Sequence, residues 1–367
     1  MAEEVCLHVV SKAEFGAGKI RPDWEDPEQM TAASPHVRRM LLDNPLSKSA
    51  DDPVRIYVTV GSRLAGRLSV VMGEMLVKGE PLSVIWGSNL LVSPDFRGMG
   101  LGTKLVNCWS QLHHTVAGCG ANPAAMAIYR KLGWIVFSTP SYFLVCHSRK
   151  FVAGYLRARA AAAVVSPVVD TLLASRRGLG RLFRGASTRG LGAELAESMP
   201  SDFDVLLARQ LAPVVTHRSA TWINWLLKSG ADDEQRDYRL YFVRNARGGT
   251  VGYFMLQQRC LPLIGKRFKD VTIGSLKEWG IFDDQQVDAS ALVLLSIRAS
   301  LAWGADAVQI QMSGDDVARV MHKVGSKVRD DLMVVLNAVP PSPLANQEYQ
   351  IQGNWRFTPS EGDGFFV

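Results

Sequence analysis

The stretch SPDFRGMGLGTKLV, from Ser93 to Val106, sets three glycines at alternate positions between two apolar-patterned runs. Upstream, LSVIWGSNLLV reads as a β-strand. Downstream, Leu101, Leu105, Val106, Trp109 and Leu112 recur at helical spacing, so LGTKLVNCWSQLHHTV reads as a helix that begins inside the glycine run. A strand must therefore hand over to a helix through a turn that carries almost no side chains. The first turn of a helix has backbone N–H groups without intrahelical partners and the positive end of the macrodipole, so this junction is a ready anion site. Side chains at Gly98, Gly100 and Gly102 would hold a diphosphate off the backbone, and glycine removes that obstruction. Two nucleotide motifs are excluded. Lys104 follows Gly-Thr at the wrong spacing for a Walker loop, and G-x-G-x-G is not the dinucleotide fingerprint G-x-G-x-x-G.

The segments before the glycines, EVCLHVV, VRIYVTV and GRLSVVMGEMLV, are short β-rich runs at hairpin spacing and suggest an antiparallel meander that LSVIWGSNLLV completes. Beyond the helix lies a second patterned element, NPAAMAIYRKLGW, from Asn122 to Trp134.

Together these two elements resemble the GCN5-related N-acetyltransferase (GNAT) superfamily. Val92-Ser-Pro-Asp-Phe-Arg97-Gly-Met-Gly100-Leu-Gly102 is similar to the family's acyl-CoA loop, Arg/Gln-x-x-Gly-x-Gly/Ala. Asn122, Ala125, Tyr129, Gly133 and Trp134 are similar to its N-x-x-A-x-x-x-Y-x-x-x-G-[FW] element, in the right order, and the likeness extends over residues 3 to 147. The resemblance implies that backbone N–H groups of Arg97, Gly98, Met99, Gly100, Leu101, Gly102 and Thr103 bind the pyrophosphate of acetyl-CoA, or another acyl-CoA, as co-substrate. It implies that Leu91 and Val92 bond the pantetheine arm as a neighbouring strand would, and that Asn122, with Ala125, meets it from the other side. Tyr129 matches the family's usual general acid, which protonates the departing thiolate.

One family feature is missing. Many relatives place a general-base Glu on the fourth strand, where this chain has Trp86 in VIWGSNLL. Glu74, or Ser88 or Asn89 holding a water, stand nearby; His113 and His114 read as surface or packing residues of the helix.

Charge is distributed unevenly. Nine Lys or Arg stand against one acid, Asp170, between Arg149 and Arg189, so that segment alone exceeds the whole chain's net charge of +6. Its Ala, Val, Leu and Arg content, ending in Gly, Ser and Thr, reads as a helical linker. The arginines either pair with flanking acids or rest on an anionic membrane surface, the first reading being preferred. Five scattered cysteines without a C-x-x-C pair argue against a disulfide framework and a zinc site, and read as reduced, mostly buried thiols. The acidic MAEEVCLHVV start lacks a signal-peptide pattern, so the cytoplasm is the expected compartment, with a membrane-peripheral position as the variant.

The second half repeats the first. RLYFVRNARGGTVGYFML (239–256) parallels RIYVTVGSRLAGRLSV (55–70), and RVMHKVGS around Gly325 parallels AIYRKLGW. In place of the glycine loop stands GIFDDQQVDASALVLL, with Asp283, Asp284 and Asp288 where an anion would bind, and Met321 replaces Tyr129. This copy is expected to have lost coenzyme binding and to shape the acceptor site or a dimer interface. The acid pairs Asp232/Asp233, Asp283/Asp284 and Asp315/Asp316 read as caps or loops, and Trp222 and Trp225 as core.

The expectation is an α/β (α+β) chain of two GNAT-like domains, each a mixed, mostly antiparallel sheet flanked by helices: 1–147 catalytic, 148–199 a basic linker, 200–367 degenerate. Its function is expected to be transfer of an acetyl or other acyl group from acetyl-CoA to an amine on a small molecule or sugar, without a metal. This pattern resembles tandem bacterial acetyltransferases of small-molecule or cell-surface polysaccharide pathways. A catalytically weak acyl-CoA-binding or regulatory protein and a FemABX-like aminoacyl transferase are the alternatives. A homodimer and a membrane contact through 149–189 are open as partners; nucleic acid is not expected.

Overall fold

The computed structural model of the chain describes residues 3–18, 25–26, 30–182, 188–207, 212–216, 218–230, 236–264, 267–352 and 355–356. Residues 183–187, at the arginine-rich end of the expected linker, and the Asp232/Asp233 pair lie outside them.

The first copy runs β1 (Val5–Ser11), α1 (Lys12–Gly16), α2 (Pro35–Leu42), β2 (Pro53–Val60), β3 (Arg63–Val77), β4 (Glu80–Val92), α3 (Leu101–Ser110), β5 (Thr115–Cys119), α4 (Pro123–Lys131) and β6 (Ile135–Val145). Next come α5 (Arg149–Leu156) and α6 (Arg159–Leu182). The second copy runs β7 (Gly192–Ala196), α7 (Asp204–Leu207), β8 (Val214–Thr216), α8 (Ala220–Gly230), β9 (Arg236–Arg244), β10 (Thr250–Ile264), β11 (Phe268–Ile281), α9 (Ala289–Ala302), β12 (Ala307–Gln311), α10 (Asp315–Val324) and β13 (Lys327–Ala338), with a short β14 (Trp355–Arg356) after it.

The chain divides into two compact units that are not contiguous in sequence: Met1–Ser138 with Ala208–Trp225 and Leu332–Val367, and Thr139–Leu207 with Leu226–Asp331. In the first unit β1 to β4 pair antiparallel in order, β4 pairs parallel with β5, and β5 pairs antiparallel with the end of β13, Val334 opposite Cys119. In the second unit β7, β9, β10 and β11 pair antiparallel, β11 pairs parallel with β12, and β12 pairs antiparallel with β6, Ala307 opposite Val145. The two sheets thus have the same plan, and each takes its last strand from the other copy. The sequence reading placed all of β6 with the first copy and all of β13 with the second. Nothing local distinguishes the alternatives, because either strand presents the apolar alternation that either neighbour needs.

Two sequence expectations end differently in the fold. The helix expected through Val116 stops at Ser110, and Thr115 already opens β5. His113 and His114 therefore sit in the connection to β5, where the Thr115 N–H donates to His113 Nδ1 at 3.1 Å. The stretch expected to be linker contains β7, which pairs with β9 as β1 pairs with β2. Of the cysteines, Cys119 and Cys146 are buried, Cys6 and Cys108 half-buried and Cys260 exposed, none of them in a disulfide, so fewer are buried than the sequence reading expects. Partial burial pushes the Cys108 thiol up from its ordinary pKa.

The core that positions the site lies between α3 and the sheet. Leu105, Val106 and Trp109 of α3 pack against Ile56, Val58, Leu68, Val70 and Ile85 from β2, β3 and β4. Trp222 and Trp225 are buried in the first unit with ring centroids 4.8 Å apart, as core residues would be.

Candidate functional site

A β-bulge opens the site. On the β3–β4 ladder Ser69 faces Ser88, but the next registered pair is Arg67 with Leu91, so Asn89 and Leu90 together oppose Leu68. Asn89 takes φ +53°, a left-handed conformation uncommon outside glycine, and β4 bends there. Its parallel pairing with β5 covers only Ile85, Trp86 and Gly87, opposite Val116, Ala117 and Gly118. Beyond that rung the strands part, and a cleft of ≈ 170 Å³ lies between them, reached by Gly87 to Leu90 on one side and Gly118 to Asn122, Ala125 and Tyr129 on the other.

Trp109 forms the floor of the last rung. It is fully buried, its indole N–H donates to the Ile85 carbonyl at 3.3 Å, and Gly87 and Gly118 leave it the space. A Cβ on Gly87 would come within 2.5 Å of the indole and one on Gly118 within 3.3 Å. Trp109 also supports Tyr129 edge-on at 6.3 Å, and Trp134 stacks at a tilt 5.0 Å from Tyr129. These glycines and Trp109 went unnoticed as site-shaping residues in the sequence, where they read as strand and helix-core positions; the signal was a glycine in each of two apolar runs.

At the outer end, Ser93 leads into a single 3-10 turn over Pro94–Phe96, fixed by burial of Phe96 and by Arg63, whose guanidinium pairs with Asp95 at 2.8 Å and lies 4.9 Å from the Phe96 ring. The glycines that follow serve different ends. Gly98 (φ +86°) and Gly100 (φ +74°) need the left-handed region, and open space surrounds the position of an added Cβ. Gly102 does not: its Cβ would point at Ile128 of α4, 2.8 Å from the methyl end. The residue is small because α3 and α4 pack there, which corrects the idea that all three glycines clear a path for a ligand. Because that methyl end can rotate and alanine is the better helix former, Gly102→Ala is expected to cost less than about 1 kcal/mol of stability in a denaturant titration. Gly102→Val is expected to cost more.

Gly100 is the N-cap of α3 and offers no side chain to cap it. The intrahelical ladder starts with Lys104 N–H to Gly100 C=O at 3.2 Å, so Leu101, Gly102 and Thr103 present their N–H groups ahead of it. Two of the seven backbone donors expected from sequence already have partners. Arg97 N–H donates to Pro94 C=O and Met99 N–H to Phe96 C=O, at 3.3 and 3.4 Å. The side chain of Met99 is 49% exposed. Leu91 and Val92 pair with Arg67 and Gly66 on their β3 side, and their β5 side lies past the last β4–β5 rung.

Asn122 caps α4, its Oδ1 accepting the Ala125 N–H at 2.9 Å. Its position in the sequence motif therefore has a structural role at the cleft wall. Tyr129 is 5% exposed and lines the cleft. Ser88 is buried, lines the cleft, and its hydroxyl finds no partner among the described residues. Trp86 is buried with its ring over Gly73, where a Cβ would lie 2.5 Å from it. Among the described residues, neither Glu74 nor either histidine borders the cleft, and no carboxylate does.

At the matching place in the second copy the acids bond their own chain. Asp288 is the N-cap of α9, and its carboxylate accepts the Ala291 N–H at 2.7 Å. Asp283 accepts the Gln285 N–H, Asp315 and Asp316 open α10, and Asp316 pairs with Arg319. Met321, where the first copy has Tyr129, is fully buried. Where α3 begins with a glycine that has no side chain to cap it, α9 begins with a carboxylate that already accepts one of its first-turn N–H groups, that of Ala291.

Residues 55–136 match the acetyltransferase (GNAT) domain family. No curated protein matches the chain in sequence. Among solved structures the fold is similar to N-myristoyltransferase of Saccharomyces cerevisiae with bound myristoyl-CoA, at 12% identity and TM-score 0.56 over 94% of this chain and 81% of that one. A second structure of that enzyme with bound myristoyl-CoA matches at 11% identity and TM-score 0.52, over 80% and 72% of the two chains. A GCN5-related N-acetyltransferase from Anabaena variabilis matches at 13% identity and TM-score 0.52, over 90% and 72%. The mixed, mostly antiparallel sheet flanked by helices is the GNAT fold, and the matched domain contains the bulged strand, the glycine turn and Tyr129.

Proposed function

We propose that this chain, with its GNAT domain at 55–136, transfers an acyl group from acetyl-CoA to an amine on a small molecule or sugar. The observation that carries the reading is the joining of two features: a helix start with open N–H donors at the end of β4, and a cleft beside it that ends at a buried tyrosine. The donor set suits a diphosphate, because Gly98, Gly100 and the first turn of α3 supply backbone donors and positive dipole without a side chain in the way. The β5-facing edge of Leu91 and Val92 is where a pantetheine amide would add as a strand. When bound, the coenzyme supplies a thioester carbonyl open to attack. Tyr129 holds the hydroxyl proton that the departing sulfur takes up, in a position fixed by Trp109 and Trp134. The Ser88 hydroxyl, two residues beyond the Trp86 position where relatives of the resembled family carry Glu, is available with the neighbouring Asn89 to hold a water or the incoming amine.

Tyr129→Phe removes the proton and keeps the ring packing. Turnover, followed by thiol release with an amine acceptor, is expected to fall at least about a hundredfold, while acetyl-CoA affinity by calorimetry stays within a few-fold. An unchanged rate would take the acid role from Tyr129. A second reading is an acyl-CoA-binding protein with little turnover, since among the described residues the cleft is lined by Ser88, Asn89 and Tyr129 rather than by a carboxylate. Coenzyme binding without thiol release across a panel of amines would establish it.

A further inference from the structure

The second compact unit carries a surface that the acyltransferase reading does not use. Helix α6 buries one stripe: Ala162 and Ser166 are at most 4% exposed, and the Ser166 hydroxyl donates to Ala162 C=O at 2.6 Å. Asp170 continues that side, accepting the Ser148 N–H at 2.6 Å. The other side of the helix is apolar and open to water. Val164, Val168 and Leu172, spaced a helical turn apart, are 77%, 63% and 66% exposed, with Val165 beside them. At the end of the adjoining α5, Tyr155 and Leu156 are exposed as well. Single exposed aliphatics are ordinary, but a row along one helix face marks a surface that something covers.

Charge decides between the candidates for that cover. The apolar row sits in a segment with nine Lys or Arg and one acid; Lys150 is paired with Asp306, as the flanking-acid reading expects, and Asp170 is engaged with Ser148, which still leaves a large positive surplus. Arginines precede the row at 157 and 159 and follow it at 176, 177 and 181. A second copy would bring the same positive surplus against itself. A bilayer with anionic headgroups offers both complements at once, an apolar layer for the valines and leucine and phosphates for the arginines. No described helix is long and apolar enough to cross a membrane, which leaves a helix lying in the interfacial plane.

We propose that α6 docks this chain on anionic lipid surfaces, with Val164, Val168 and Leu172 inserted at the level of the acyl chains and the segment's positive charge drawing it to the headgroup phosphates. The docking does not depend on the acyltransferase reading, since it uses none of the cleft residues.

Co-sedimentation of the full chain with vesicles tests it. Binding is expected to vesicles of phosphatidylcholine with about one-third phosphatidylglycerol and not to phosphatidylcholine alone, and to weaken as salt is raised. Val168→Asp with Leu172→Asp is expected to lower the partition at least about tenfold, with the thermal melt unchanged. Arg176→Glu with Arg177→Glu, which leaves the apolar row intact, is expected to lower it as well. Equal binding to both vesicle types, no binding to either, or wild-type partition by both variants would overturn the proposal. So would concentration-dependent dimers in sedimentation velocity that the aspartate variant abolishes in the absence of vesicle binding, which would assign the face to a second copy.

Discussion

Gly100→Glu is expected to abolish acetyl-CoA binding in calorimetric titration, a loss of at least about a hundredfold. Gly100 sits at φ +74° as the uncapped N-cap of α3, so the substitution acts in three ways. Any L side chain there is held in the left-handed region, at roughly 1–2 kcal/mol. The carboxylate stands at the positive end of the helix dipole, where it repels a diphosphate and competes for the same donors. Bulk in the turn keeps the ligand from the Leu101, Gly102 and Thr103 N–H groups, and hydrogen bonds to a charged group are worth about 1.5–3 kcal/mol each. Loss of two such bonds already exceeds the factor stated, since about 1.4 kcal/mol is tenfold. Asp288 shows that competition in the same molecule, its carboxylate accepting the Ala291 N–H at the start of α9. Gly248→Glu is the matched control: that glycine has φ +80°, an open surround and a place in a turn of the other compact unit. It should share the backbone strain and leave coenzyme affinity unchanged. Retained affinity in Gly100→Glu would remove the glycine turn from the donor site.

The second large effect is structural. Trp109→Ala is expected to destabilise the protein by about 3–5 kcal/mol, the range for large-to-small changes of buried aromatics. Trp109 is fully buried, bonds the Ile85 carbonyl, and packs 4.9 Å from the Trp134 ring centroid and 6.3 Å from that of Tyr129. Removing it takes the floor from beneath Gly87 and Gly118 and the support from Tyr129, so the variant should lose coenzyme affinity beyond what its stability loss predicts. Urea unfolding gives the first quantity and titration of the still-folded variant the second. A stability change under about 1 kcal/mol would mean that the site collapses around the gap, contrary to the two glycine backbones that hem it in.

Much of the first copy was legible. The alternation in VRIYVTV and GRLSVVMGEMLV reads as strands, and Pro53–Val60 and Arg63–Val77 are strands. The glycine run lies between strand and helix, and Asn122 opens a helix that ends before Gly133 at φ +75°. These features are local: they depend on side-chain periodicity, on a cap three residues from its donor, or on a dihedral that glycine adopts easily. The end of α3 was misread because Leu112 continues the helical spacing while the backbone has already turned at Gln111. β7 escaped because five residues of GAELA carry almost no strand signal by themselves.

The sequence by itself determined that a donor-rich turn joins β4 to α3, that a tyrosine and an asparagine follow at fixed positions on the next helix, and that the second copy has acids where the first has glycines. Only the tertiary structure decided which glycine serves the turn and which the packing of α3 on α4, how far β4 and β5 stay paired before they part, and which copy supplies the last strand of each unit. The division follows from the range of the interactions. Turn geometry and helix capping are settled within a few residues. A strand's partner and the contact of Gly102 with Ile128 depend on surfaces that meet only after the chain has closed long loops, so neither leaves a mark in any short stretch of sequence.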